Sequence, residues 1–259
     1  MKKVLAITNG VALLVTIAIN FLSNTGVFGH ETTASVSAMY PVSFTPAGYA
    51  FGIWIVIYLG LAGFVIYQGR ALAGNTEAAV TVGEVGWWFV WSCACNCIWI
   101  LAWVYGSIGL SVVIMLLLLF SLLKIIWRTD MEMTDPPLRT IAGVWWPFCL
   151  YSGWVTAALF ADLSAWLLKT QWAPYMEHPE AWTLGMIGTA GAAYLWMTWN
   201  RNMREYGFVG VWALVAIGIK DSGSARAVAL AAFIVAGILA VSSSWHGYRN
   251  REFSPWRKH

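Results

Sequence analysis

Eight long apolar stretches separated by short polar ones organise this chain, and none shows the strict two-residue alternation of a half-buried strand. A hydrocarbon core about 30 Å thick takes roughly 20 helical residues to cross. The pattern predicts membrane-spanning helices over residues 4–23, 48–67, 86–105, 108–127, 141–166, 182–199, 206–219 and 225–245. The seventh is short enough that a re-entrant segment competes with a full crossing. Composition points the same way. The chain is 59% hydrophobic and 10% charged, with a mean hydropathy of +0.66, where soluble domains carry about 25% charged residues. The expectation is an all-α integral membrane protein whose partner is the lipid bilayer. Nucleic-acid binding would need an exposed basic domain, and the sequence offers none.

Charge sets the orientation. With the N-terminus inside and the spans alternating, the inner side receives twelve of the fifteen Lys and Arg residues, and only Lys169, Lys220 and Arg226 fall outside. Cytoplasmic loops carry that excess. The expected location is a bacterial cytoplasmic membrane with both termini cytoplasmic, including a basic tail that carries Arg249, Arg251, Arg257 and Lys258. A non-spanning seventh segment would turn that tail outward. The first span, preceded by Met1-Lys2-Lys3, also resembles a secretory signal peptide, with small residues at 34–38 as a cleavage region. The first loop, residues 24–47, is nearly uncharged and holds only His30 and Glu31. Pro41 and Pro46 stiffen its end and block a helix there. A lid over the bundle and an ordinary turn both fit it.

Candidate chemistry comes from the rings. The chain holds 18 tryptophans. Helical spacing puts Phe51, Trp54 and Tyr58 on one face of the second span. It does the same for Trp88, Ser92, Asn96, Trp99 and Trp103 in the third, and for Pro147, Tyr151, Trp154 and Ala158 in the fifth. Asn96 lies near mid-span, where an unpartnered carboxamide is costly, so it either staples helices or touches a ligand. Three such stripes predict a shared hollow that stacks on a flat apolar molecule.

Other chemistry finds little support. Cys93, Cys95, Cys97 and Cys149 read as packing residues, and no metal site is expected. Glu84, Lys124, Arg139, Asp162, Lys220 and His246 fall near span ends, away from the midplane where a proton relay is expected. There is no phosphate-binding loop, no HExxH and no assembled nucleophile, so no catalytic residue is assigned. Gly185, Gly188, Gly191 and Ala192 in the sixth span, and Ala229, Ala232, Ala236 and Gly237 in the eighth, predict close helix packing without chemistry.

The run Ser43-Phe44-Thr45-Pro46-Ala47-Gly48-Tyr49-Ala50-Phe51-Gly52-Ile53-Trp54, followed by Tyr58, resembles the loop and second-helix signature of the TspO/translocator-protein family, the tryptophan-rich sensory proteins. Asn96 with Trp99 is similar to its third-helix pattern. Trp146-Pro147-Phe148 with Tyr151, Trp154 and Thr156 is similar to its fifth. The resemblance covers residues 1–168 and implies a five-helix bundle, with residues 169–259 as a three-helix membrane extension. It implies ligand-binding positions at Tyr49, Trp54, Tyr58, Asn96, Trp99, Tyr151 and Trp154, beside Phe51 and Trp103 from the spacing argument. It further implies binding of tetrapyrroles, with porphyrin or haem as the bound group, no required cofactor, and assembly as a homodimer. A receptor or sensor is the expected function. A transporter of the same compounds, a tetrapyrrole-modifying enzyme acting by light-dependent oxidation, and a membrane scaffold are the alternatives.

Overall fold

The computed structural model describes residues 1–134 and 136–249. The predicted basic tail beyond Arg249 lies outside them. Among the described residues every regular element is helical. These are α1 (Lys2–Ser23), α2 (Thr33–Met39), a 3-10 turn (Gly48–Gly52) leading into α3 (Ile53–Gly69), α4 (Thr76–Val85), α5 (Trp88–Val104) and α6 (Ile108–Arg128). After them come α7 (Leu138–Thr140) running through a π turn (Ile141–Trp145) into α8 (Trp146–Lys169), then α9 (Ala173–Glu177), α10 (Pro179–Arg201), α11 (Arg204–Asp221) and α12 (Arg226–Arg249).

All eight predicted segments are helical. Five are long and apolar enough to cross a bilayer: Lys2–Ser23, Gly48–Gly69, Ile108–Arg128, Leu138–Lys169 and Arg226–Arg249. The pair α4 and α5 makes a sixth, bent by 51°. Gly86 makes that bend at φ 57° and ψ −142°, a conformation open to glycine and costly for other residues. Helices α10 and α11 reach 23 and 18 residues but are less apolar, α11 carrying Arg204, Glu205, Lys220 and Asp221 at its ends. Three short helices, α2, α4 and α9, fall outside the hydropathy pattern, and the first two are set by side-chain caps. The Thr32 side chain accepts the Ser35 N–H at the start of α2, and Asn75 accepts the Ala78 N–H at the start of α4.

The chain divides into two compact units, with boundaries inside α3 and α8. The first comprises Met1–Pro41, Val56–Asp130 and Arg139–Phe148. Here α5 packs on α1 and α6, and Phe64, Phe89 and Phe148 form a buried triad with ring centroids 4.9–5.8 Å apart. Amide side chains cross between helices. Asn9 donates to Gln68 at 2.9 Å, and Asn20 donates to Asn96 at 2.7 Å. At one end Glu77 accepts from Thr140 at 2.7 Å and from Arg139 at 2.6 Å.

The second unit comprises Val42–Ile55, Met131–Leu138 and the chain from Cys149 onward. Its helices approach at glycines. A β-carbon on Gly210 would lie 2.6 Å from the Tyr194 ring, one on Gly191 2.6 Å from Val235, and one on Gly218 2.8 Å from Phe233. Tyr194 is buried and donates its hydroxyl to the Gly153 carbonyl at 2.9 Å. The small-residue prediction is corrected in part. Gly191 is a close-approach glycine, but Gly185, Gly188 and Gly237 meet nothing within 4 Å. The crowded glycines Gly207, Gly210 and Gly218 lie on α11, where the aromatic ring or the hydroxyl opposite leaves no room for a methyl group.

Candidate functional site

The nine predicted ligand-binding residues fall in both units. In the second unit, the segment from Val42 enters through a turn closed by the Thr45 N–H on the Val42 carbonyl at 3.2 Å. Val42, Phe44 and Pro46 are buried there. The 3-10 turn Gly48–Gly52 then carries Tyr49 and Phe51, and the first turn of α3 carries Trp54. Phe51 meets Trp154 of α8 edge-on at 5.6 Å, and Trp54 meets Tyr151 at 5.7 Å. Trp154 and Tyr151 are buried, whereas Tyr49 and Phe51 remain 49% and 42% exposed. Edge-to-face pairs of this kind contribute about 0.5–1.5 kcal/mol each. The rings are therefore one another's neighbours. An open groove of about 440 Å³ lined by His178, Trp182 and Met186 lies elsewhere in this unit and touches none of the nine.

In the first unit, Trp99 and Trp103 stack at 6.2 Å with planes 23° apart. Trp103 is buried and donates Nε1–H to the Thr33 carbonyl at 3.1 Å, and its ring lies 6.3 Å from that of Tyr40. This indole holds α2 in place. Asn96 is fully buried and accepts from Asn20, so the helix-stapling role of this carboxamide is realised. Tyr58 is half-buried, with Cys93 and Cys97 nearby. Trp88 of the same predicted stripe instead meets Phe120 of α6 at 5.8 Å. Asn20 was missed, although Asn9, Thr16 and Asn20, at offsets 0, 7 and 11, mark one face of α1 as polar.

Three residues outside the predicted set also hold the 42–50 segment, all on α11 and four residues apart. Trp212 donates Nε1–H to the Ala50 carbonyl at 3.0 Å, and its ring meets Tyr49 edge-on at 5.4 Å. The Ala216 carbonyl accepts the Ala47 N–H at 3.2 Å. The Lys220 ammonium donates to the Val42 carbonyl at 2.6 Å and to the Thr45 carbonyl at 3.1 Å. The segment 42–50 is thus strapped down by α11, the short seventh apolar segment. Phe44 completes the seat against Phe160, at 5.5 Å.

At the far end of α11, in the loop that follows α6, the Glu132 carbonyl accepts from Asn202 at 3.0 Å. Burial, reinforced by the Glu205 carboxylate and opposed by Arg204, pushes the Glu132 carboxyl up to about 8. Among the described residues no group of three His, Cys, Asp or Glu side chains could hold a metal ion.

No curated protein and no solved structure matches the chain at a significant level. One family does: residues 6–245 match the family described as TSPO-like protein, a match that runs through the last three helices. With its wholly helical described fold, its membrane-length apolar helices and that match over most of its length, the chain belongs to the TSPO-like protein family.

Proposed function

We propose that this protein is a membrane receptor or sensor that binds a planar apolar molecule of the tetrapyrrole class, a porphyrin or haem precursor, against the rings of its second unit. The observation that carries this reading is the pairing of Phe51 with Trp154 and of Trp54 with Tyr151, where the signature segment enters α3. Indole and phenol rings stack on flat ligands while their polar tips select orientation. Membership of the TSPO-like family fits a binding role in a membrane. The role is binding without catalysis and without a resident cofactor. The Lys and Arg distribution supports both termini on the cytoplasmic side of a bacterial membrane, and the assembly is a homodimer.

Titration of the purified protein with protoporphyrin IX, followed by tryptophan quenching, tests the reading. Saturable quenching is expected, weakened about tenfold by Trp54→Ala or Tyr151→Ala, the loss of one ring contact. Quenching that never saturates, or that neither substitution alters, sinks the proposal.

A further inference from the structure

We propose that α11 belongs to the ligand-binding apparatus, with Lys220 as the positioning residue that holds the 42–50 strap and so fixes the rings following it. This rests on the receptor reading above and gives that site an additional, distant component. The geometry is specific. Trp212, Ala216 and Lys220 follow one another at four-residue intervals, so they share one helix face. Each makes a directional bond to a different part of the strap: Ala50, Ala47, and the Val42 and Thr45 carbonyls.

The Lys220 bonds are the strongest of the set. An ammonium on a neutral carbonyl makes a charge-assisted bond, shorter and stronger than neutral ones, and 2.6 Å is the shortest contact to the strap. The ammonium closes the turn whose two carbonyls point the same way, and Phe51 and Trp54 follow within ten residues of that turn. Releasing Lys220 leaves Phe44 seated on Phe160 but removes the bonds that set where the 3-10 turn begins. Ring placement then becomes a distribution, and a flat ligand that needs both ring pairs binds less tightly. Arginine at this position still donates to both carbonyls; methionine keeps the length and loses the donors.

The test uses the full-length protein in lipid nanodiscs, with protoporphyrin IX absorption as the binding readout and hydrogen exchange of residues 42–52 as the strap readout. Lys220→Met is expected to raise strap exchange and weaken binding about tenfold, the loss of one charge-assisted contact. Exchange in α10 and α12 should stay unchanged, and Lys220→Arg should restore both binding and strap exchange. Trp212→Phe, which keeps a ring and removes only the bond to Ala50, is the second variant should Lys220→Met fail to fold, with a smaller shift in the same direction. A wild-type protein that binds porphyrin, with variants that loosen the strap yet bind equally well, overturns this inference and leaves the receptor reading standing. A wild-type protein that does not bind overturns both.

Discussion

In the first unit neighbouring helices are tied by carboxamides, Asn9 to Gln68 and Asn20 to Asn96. In the second they close at glycines, with Tyr194 lying over Gly210 and Val235 over Gly191. An amide bridge sets register while tolerating loose packing around it, because a few interhelical bonds of about 0.6 kcal/mol each carry the specificity. Close approach at glycine reverses those terms. Contact area carries the energy, and one added methyl group costs more than one lost bond. The aromatic pairs and the strap lie in the second unit, where directional bonds from α11 to the strap add to this close packing.

The largest expected effect breaks the glycine side of that comparison. Gly210→Val drives two methyl groups into the Tyr194 ring and threatens its bond to Gly153. A loss of about 3 kcal/mol is expected, from overpacking together with a buried hydroxyl left unpaired. Detergent-titrated unfolding followed by circular dichroism measures it, and a loss below 1 kcal/mol would contradict the packing described.

A ring substitution in each unit sharpens the contrast for binding. Tyr151→Ala should reduce porphyrin affinity about tenfold, whereas Trp99→Ala should change it less than about threefold. Equal losses would dissolve the distinction.

The amide side is subtler. In a double-mutant cycle, Asn20→Leu and Asn96→Leu should show a coupling energy of about 0.6 kcal/mol. Additive losses would mean that the 2.7 Å bond contributes nothing beyond its parts.

The last effect is a change of slope. A carboxyl held up to about 8 when folded and near 4.5 when unfolded keeps its proton in the folded state while the unfolded state releases it. Stability therefore falls as pH rises through that window. Glu132→Gln should flatten the melting temperature between pH 5 and 8, and an unchanged slope would show that Glu132 is solvated like an ordinary surface carboxylate.

The helices were legible because long unbroken apolar runs have few alternatives in a bilayer. The bend at Gly86 was not, since an isolated glycine in an apolar run signals nothing until its backbone angles are known. The stripes on the third and fifth spans marked faces that turn inward at Trp103, Tyr151 and Trp154, whereas Phe51 of the second-span stripe is 42% exposed. Periodicity cannot say which ring meets which, so the pairs of Phe51 with Trp154 and of Trp54 with Tyr151 were not legible. The strap's dependence on α11 was invisible for a different reason. Lys220 looks like an ordinary interfacial residue and Trp212 like one more mid-span ring of a weakly apolar helix. Their bonds go to backbone carbonyls, which leave no trace in side-chain chemistry. Only the four-residue spacing of Trp212, Ala216 and Lys220 hinted at a shared task.

The bond from Lys220 to Val42 joins residues 178 positions apart, and that from Trp212 to Ala50 joins residues 162 apart. Translation at about 5–20 residues per second leaves the strap waiting roughly ten to thirty seconds for its anchor to leave the ribosome. During that interval Val42 and Phe44 have no final seat, and the signature segment is the last part of the N-terminal half to mature. Nascent chains arrested before residue 212 should stay open to protease between residues 42 and 52, and chains released after residue 230 should not.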